Sequence, residues 1–272
     1  MKLGGVLILY YPDIGVLSNI LTYISDLDQL IVLDNSEHIQ QDIADKIRSM
    51  DKTVYIPFHE NRGISYALNY ALKINYSFKY MMTMDQDSYF PTGEVRKYKE
   101  QIENCHELGA AVYAVNIGKK STLPSVRPIW RTVTSGSVVD TDIAGRIGGF
   151  DENLFIDEVD HEYCYRAQKN GFKILQFTNI CMHHKIGDPI RKVIFGRVFI
   201  IHSHNPVRKY YIVRNHIYVM KKYKNIRWGY AKNLFRLFFK TLIMEKNKKS
   251  KILYMARGIR DGIVGKYGKY DG

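Results

Sequence analysis

Hydrophobic and polar positions follow two periods over the first two thirds of the chain. Residues 6–10 and Leu30-Ile31-Val32-Leu33 are unbroken apolar runs of strand length. Between them Leu17, Ile20, Leu21 and Ile24 recur at helical spacing. The pattern predicts a β-α-β unit, with parallel strands and a right-handed crossover. It then repeats, with a helix over 39–50, a strand at 53–56, a helix over 65–74 and a strand at 80–84. In the second of these helices Ala67, Leu68, Ala71 and Leu72 fall on one apolar side. Further along, the spacing predicts a helix over 93–108, a strand over 110–116 and a polar loop over 118–131 that holds two prolines. Residues 138–146 lead into the turn cluster Gly148-Gly149-Phe150-Asp151-Glu152. A helix over 157–170 stops at Gly171, and a strand over 172–177 precedes a polar segment, 181–187, with two histidines. Beyond about residue 190 the pattern turns helical, basic and aromatic, and no internal repeat is visible. Alternation of this kind predicts an α/β fold with an open, mostly parallel central sheet flanked by helices. Ligands of such sheets sit beyond the carboxyl ends of the strands, where Asp34 and Asp85 fall.

Composition agrees with a globular chain: 272 residues, 46% of them hydrophobic, are enough for one α/β domain and an appendage. The first apolar run is stopped by Pro12 and Asp13 and reads as a strand, not as a signal peptide. No segment reaches the roughly 18 apolar residues of a membrane span. Cys105, Cys164 and Cys181 are odd in number and widely spaced, as expected of reduced thiols in a cytoplasmic protein. Charge divides the chain. Residues 191–272 hold 21 Lys/Arg and 3 Asp/Glu, whereas residues 1–190 hold 19 and 24. We therefore expect a body, 1–190, that binds and reacts, and a basic, mostly helical region, 191–272, drawn to a polyanion or an anionic membrane face.

Several short constellations can carry chemistry. Asp85-Gln86-Asp87 follows a buried strand, and two carboxylates one residue apart can share a hard divalent cation such as Mg²⁺ or Mn²⁺. On a helix over 157–170, Asp157, Asp160 and His161 would share a face and Glu158 and Glu162 another, with Arg166 four residues beyond Glu162 as an ion-pair partner. A carboxylate there, at a cleft mouth, can act as general base. His183 or His184, near Gly187, can complete a metal site or donate to a diphosphate. Asn61-Arg62-Gly63 lies between a strand and a helix, where Arg62 and the amides after Gly63 can meet phosphate. Ser135-Gly136 is small enough to let a sugar approach the backbone. Each segment also has a plain structural explanation: a solvated acidic turn, a helix N-terminus favoured by its dipole, a capped βα loop, a simple turn.

Taken in order, these segments are recognisable. The chain resembles family 2 glycosyltransferases with the GT-A fold, and especially the bacterial rhamnosyltransferase branch. The resemblance rests on Tyr10-Tyr11-Pro12, Val32-Leu33-Asp34-Asn35-Ser36, Asn61-Arg62-Gly63-Ile64 with Asn69, Asp85-Gln86-Asp87-Ser88, Ser135-Gly136, Gly148-Gly149-Phe150-Asp151-Glu152, Ile156-Asp157 with Asp160 and Arg166, His184 with Gly187, and Tyr210-Tyr211 with Arg214-Asn215. It spans roughly residues 3–220. It implies Asp34 at the pyrimidine base, Asp85 near ribose and metal, Asp87 as metal ligand, His184 near the metal and diphosphate with His183 as its competitor, and Ser135 and Gly136 as the floor of the sugar pocket. Tyr10, Asn35, Arg62, Gly63 and Gln86 join the donor-binding candidates. Asp160 matches the catalytic base. The family's acidic helix commonly reads Glu-Asp, and here Val159 precedes Asp160, which keeps Asp157 and Glu158 in view. Arg214 is a further candidate.

The implied reaction is an inverting transfer of a sugar, best matched by L-rhamnose from dTDP-rhamnose, onto a glycan hydroxyl in bacterial cell-surface polysaccharide synthesis. A galactofuranosyl or other hexosyl transferase using a UDP-sugar shares much of the pattern. Lys232, Arg236 and Lys240 recur every fourth residue through an apolar-aromatic stretch, followed by lysines at 246, 248, 249 and 251. That combination fits an interfacial helix on anionic lipid, hence a peripheral place on the inner face of the cell membrane and a polyprenyl-linked acceptor. A nucleotidyltransferase would carry a Gly-rich basic loop after the first strand, which Tyr11-Pro12-Asp13-Ile14-Gly15 is not. A nucleic-acid-binding module would leave the acidic segments unexplained.

Overall fold

The computed structural model describes residues 1–74, 78–105, 109–121, 125–184, 190–194, 197–201 and 203–272; of residues 190–201 it describes the backbone. Chain contacts divide the protein into two compact units, Met1–Glu152 with Val159–Lys185, and Asn153–Glu158 with Ile186–Gly272.

In the first unit, β1 (Leu3–Leu9), α1 (Gly15–Leu21), β2 (Gln29–Asp34), α2 (Gln41–Arg48), β3 (Thr53–Pro57), α3 (Ile64–Ile74) and β4 (Tyr80–Asp85) alternate as the two periods predict. Then come β5 (Ser88–Tyr89), α4 (Glu94–Cys105), β6 (Ala110–Ile117), β7 (Val126–Pro128), β8 (Ser137–Asp140), α5 (Thr141–Ile147), α6 (Val159–Lys169) and β9 (Lys173–His184). Strands β1, β2 and β4 are buried almost throughout, which is why they read as continuous apolar runs and not as alternating ones. One sheet takes the order β3-β2-β1-β4-β8-β6-β9-β5, with β7 on β9. The pairs β3/β2, β2/β1, β1/β4 and β6/β9 are parallel, and β8 enters antiparallel between β4 and β6. Register places Leu9 opposite Asp34 and Ile8 opposite Asp85, so β1, β2 and β4 end together. Leu7, Val32, Met82, Tyr98, Tyr113 and Phe177 form part of one core.

The second unit contains a hairpin, β10 (Ile190–Ile194) and β11 (Arg197–Ile201), then α7 (Pro206–Lys222), α8 (Arg227–Met244) and α9 (Lys248–Val264). Pro206 opens α7 where its missing N–H costs nothing, and Asn205 caps the Arg208 amide. Helices α7 and α9 meet closely: a Cβ on Gly258 would lie 2.6 Å from the Tyr210 carbonyl, and one on Gly262 2.9 Å from Ile217. Lys209, Glu245 and Lys251 form a buried charge cluster, with Glu245 2.7 Å from each ammonium. Burial alone would raise the Glu245 carboxyl, but the two lysines outweigh it and hold it below its ordinary value.

Five local expectations change. The hairpin stands where a helical pattern was expected, and β7 lies inside the expected 118–131 loop. Strand β9 continues through His184, because residues 181 and 182 still pair with β6 and 183 and 184 with β5. Helix α6 begins at Val159: Asp157 and Glu158 are left-handed, with φ 64° and 66°, so they do not share a helical face with Asp160 and Glu162. Lys251 is 5% exposed and bound to Glu245, so it is not a surface lysine.

Candidate active site

The carboxyl ends of β1, β2 and β4 are stitched by side chains from the expected segments. The Tyr10 amide donates to Gln86 Oε1 (2.9 Å), and the Tyr11 amide to Ser36 Oγ (2.7 Å). Tyr10 and Tyr11 are 46% and 42% exposed at this edge, their rings edge to face. Asp34 is buried at the end of β2; Oδ1 accepts the Ser36 amide (2.9 Å) and Oδ2 the Tyr55 hydroxyl (2.6 Å). Burial and this bond to Asp34 push the Tyr55 phenol up. Asn35 Oδ1 accepts the Arg62 amide (3.2 Å), and Gly63, at φ 85°, donates to Asn61 Oδ1 (3.0 Å). The Arg62 guanidinium pairs with Glu60 and Tyr66 and stacks over the Tyr66 ring.

Asp85, Asp87 and His184 converge: one ligand atom from each lies within 4.8 Å of the others. The strand pair β5/β9 makes the convergence possible by setting Ser88 opposite His184 and Tyr89 opposite His183. Neighbouring strand residues point to opposite faces. His184 therefore turns toward Asp87, 3.3 Å from Nδ1 to Oδ1, while His183 stacks on Tyr89 with ring centres 4.9 Å apart. Ser135 and Ser88 connect the cluster to the neighbouring loop: the Asp85 amide donates to Ser135 Oγ (3.2 Å), Ser135 to Ser88 Oγ (2.8 Å), and Ser88 Oγ lies 2.7 Å from His184 Nδ1. Asp87 Oδ1 is buried and makes no hydrogen bond. An acceptor left unsatisfied beside a second carboxylate and an imidazole is what a divalent cation relieves. Carboxylate oxygens with one imidazole suit Mg²⁺ or Mn²⁺.

Asp160 is the second residue of α6, where the helix dipole favours a carboxylate. It lines a small cavity with Thr83, Thr132, Val133, Thr134 and Ser137, the stretch that also carries Ser135 and Gly136. Glu162 is fully buried and bound by Arg166 (2.9 Å), whose other donors reach the carbonyls of Ile147 and Gly149. The pairing read from the sequence thus joins α6 to the Gly-Gly turn.

The second unit holds the remaining candidates. Asp157 accepts from Arg208 (3.1 Å), and Glu158 from the Tyr230 hydroxyl, with His216 Nδ1 3.6 Å away. Arg214 is fully buried and donates to the carbonyls of Gly268 (2.7 Å) and Asn153 (3.4 Å) and to Asn215. Gly187 lies outside the described residues.

Comparison with known proteins now decides the family. The sequence model for Glycosyl transferase family 2 matches residues 16–155. The chain belongs to this family. It is a glycosyltransferase, with nucleotide-sugar transfer as its reaction class. A curated relative, the dTDP-rhamnosyl transferase RfbF of Shigella flexneri, is 28% identical, with 96% of this chain and 95% of the relative aligned. Among solved structures, S. aureus TarS 1-349 in complex with UDP-GlcNAc aligns over 97% of this chain and 82% of its own, at 14% identity and TM-score 0.63. GalNAc-T7 with UDP, GalNAc and Mn²⁺ aligns over 98% of this chain and 58% of its own, at 10% identity and TM-score 0.63. The fold of the transferase is GT-A.

Two contributors to the candidate site escape the sequence reading. Tyr55 is visible only through the β2/β3 register that sets it beside Asp34, and Thr83 only as a wall of the Asp160 cavity; Ser88, quoted in the sequence only as the end of Asp-Gln-Asp-Ser, gains its contact with His184 through the β5/β9 pair. Asn69 binds both the amide and the carbonyl of Phe150 (2.7 and 2.8 Å), which explains its place among the recurring segments.

Proposed function

We propose that this chain transfers L-rhamnose from dTDP-rhamnose to a hydroxyl of a glycan acceptor, inverting the anomeric carbon in one displacement. The observation that carries the reading is the convergence of Asp85, Asp87 and His184, with its unsatisfied buried oxygen, at the strand ends of a family 2 transferase. A named dTDP-rhamnosyl transferase aligned over nearly the whole chain supports the donor.

In this reading Asp34 receives the pyrimidine, since each of its oxygens accepts one bond and keeps a second lone pair. Tyr10, Asn35, Gln86 and the Arg62-Gly63 loop bound the nucleoside and phosphates, and Ser135-Gly136 the sugar. Asp85, Asp87 and His184 hold Mg²⁺ or Mn²⁺, which when bound neutralises charge on the leaving diphosphate. Asp160 takes the proton from the acceptor hydroxyl as that oxygen attacks. His183, turned away onto Tyr89, packs and does not ligate. The basic region 191–272 places the transferase peripherally on the inner face of the cell membrane, where it meets a polyprenyl-linked acceptor for cell-surface polysaccharide.

Thermal shift with dTDP-rhamnose, UDP-galactose, UDP-N-acetylglucosamine and GDP-mannose, each with and without the metals, tests the donor and the cation together. Ligands that bind the folded state raise the melting temperature by mass action. A metal-dependent shift with dTDP-rhamnose that disappears in Asp87→Ala is expected. A shift with a UDP-sugar alone moves the assignment to a hexosyltransferase, and no shift with any donor overturns it.

A further inference from the structure

Helix α8 is apolar on its exposed side as well as on its inner one, where Leu234, Leu237 and Phe238 are half-buried. Tyr230 and Thr241, on one side, are buried. On the opposite side Trp228, Phe235, Phe239 and Leu242 follow one another at intervals of seven, four and three residues, and are 85%, 66%, 54% and 50% exposed. That spacing keeps all four on one stripe. From Trp228 to Leu242 the stripe runs for about 21 Å. Soluble proteins rarely leave a continuous aromatic face of this length in water.

Charge limits what can cover it. Lys232 and Arg236 are exposed along one edge of the stripe, α8 has no acidic residue, and Lys246, Lys248 and Lys249 are exposed and line a hollow with Ser250 just past its end. Of the three acids in residues 191–272, Glu245 and Asp261 are buried in ion pairs, which leaves Asp271 exposed at the terminus. A second copy of this face would bring like charges together. An anionic surface with an apolar interior satisfies both the stripe and its edge.

We infer that α8 lies in the plane of an anionic bilayer, with Trp228, Phe235, Phe239 and Leu242 in the acyl boundary and Lys232, Arg236, Lys246, Lys248 and Lys249 at the headgroups. This rests on the peripheral placement proposed above and deepens it by naming the inserted face. It also shifts weight from the basic stripe read in the sequence to the aromatic stripe beside it. Lys251 has no part, because it is held by Glu245.

The test uses the full chain carrying Trp130→Phe, so that Trp228 is the remaining tryptophan. Co-sedimentation is measured with phosphatidylcholine vesicles and with vesicles containing about a third phosphatidylglycerol, at low and high salt. Binding to the anionic vesicles at low salt with a blue shift of Trp228 emission is expected. Phe235→Ser with Phe239→Ser should lower partitioning at least about 30-fold. Lys246→Glu with Lys248→Glu and Lys249→Glu should lower it about 100-fold or more. A donor-induced thermal shift retained in each variant shows that it is folded. No binding, binding without a Trp228 shift, or self-association without vesicles that Phe235→Ser abolishes would each overturn the inference, as would binding to an oligonucleotide in place of vesicles. Transfer to a detergent-solubilised polyprenyl-linked acceptor is scored separately, so a failed membrane face and a failed acceptor assignment are told apart.

Discussion

Asp160 lines the cavity whose wall includes Ser137, the neighbour of Gly136, and Asp160 and Gly136 are constrained in opposite ways. For Asp160 the helix start supplies orientation, and the role proposed for it is that of general base. Asp160→Asn should lower kcat about 100- to 10,000-fold while donor affinity is kept, since the amide cannot take the acceptor proton. Single-turnover rates beside donor titrations check this, and an equal loss of donor affinity would reassign the residue to binding. Gly136 is needed for shape. At φ 71° a side chain is strained, and a Cβ would lie 2.3 Å from Met182 Sδ. Gly136→Ala should cost about 1–3 kcal/mol, partly from the left-handed backbone and partly from overpacking. In a Met182→Ala background most of the overpacking share should go, Val115 Cγ2 at 3.2 Å being the close neighbour left, and about 1 kcal/mol should remain. Urea denaturation of the four proteins separates the two shares. Asp34, Asp85, Asp87 and the pair His183-His184 stand out in the sequence as acids and histidines after apolar runs, but what turns His184 and not His183 toward Asp87 is the β5/β9 pairing, which the sequence does not display. Gly136 was legible only as small, because what fills its missing Cβ comes from β9, over 40 residues away.

At the scale of elements, the segment before α6 shows where periodicity stops being informative. Residues 157–170 carry helical spacing throughout, yet the helix starts two residues late because Asp157 and Glu158 are held left-handed. What holds them lies more than 50 residues on: Asn215 Nδ2 donates to the carbonyls of Ile156 (2.6 Å) and Asp157 (2.9 Å), Arg208 binds the Asp157 carboxylate, and Tyr230 donates to Glu158. Local pattern cannot register such contacts, whereas the β-α-β repeats, made of near neighbours in sequence, were readable. Hairpin β10/β11 was missed for a related reason: its residues, Ile-Arg-Lys-Val-Ile and Arg-Val-Phe-Ile-Ile, are too short to separate from the basic helical stretch around them. Asn215 is fully buried, so Asn215→Ala strands two carbonyls and should cost about 1–3 kcal/mol. Asn215→Asp should be worse, because a carboxylate would face those carbonyls without a donor. Thermal or urea unfolding of both variants decides it, and equal stability of Asn215→Asp with the parent would remove Asn215 as the strut of this segment.

Across the whole molecule, the +13 charge hides a slightly acidic stretch, residues 1–190, and a strongly basic one, residues 191–272, and the basic stretch ties stability to pH. His204 precedes α7 among Arg208, Lys209, Lys240 and Glu245. Burial and then the field of Arg208 and Lys209 lower it from the ordinary 6.5 to about 4. The folded protein keeps this imidazole neutral, while the unfolded chain protonates it below about 6.5. The unfolded state therefore binds the extra proton. The stabilisation is complete above 6.5 and is lost as pH falls toward about 4. Glu245 works in a lower window: its carboxyl is held below 4.5, so its contribution begins to fade only under that value. The melting temperature should decline between pH 6.5 and 4.5 through His204, and His204→Asn should flatten that stretch while leaving the steeper fall below 4.5. An unchanged slope in His204→Asn would assign the upper window to another group. Because the folded basic unit keeps His204 neutral until the pH nears about 4, this group adds no charge to it between 6.5 and 4.5, so His204→Asn should leave the hold on anionic vesicles unchanged across the window in which it flattens the melting profile.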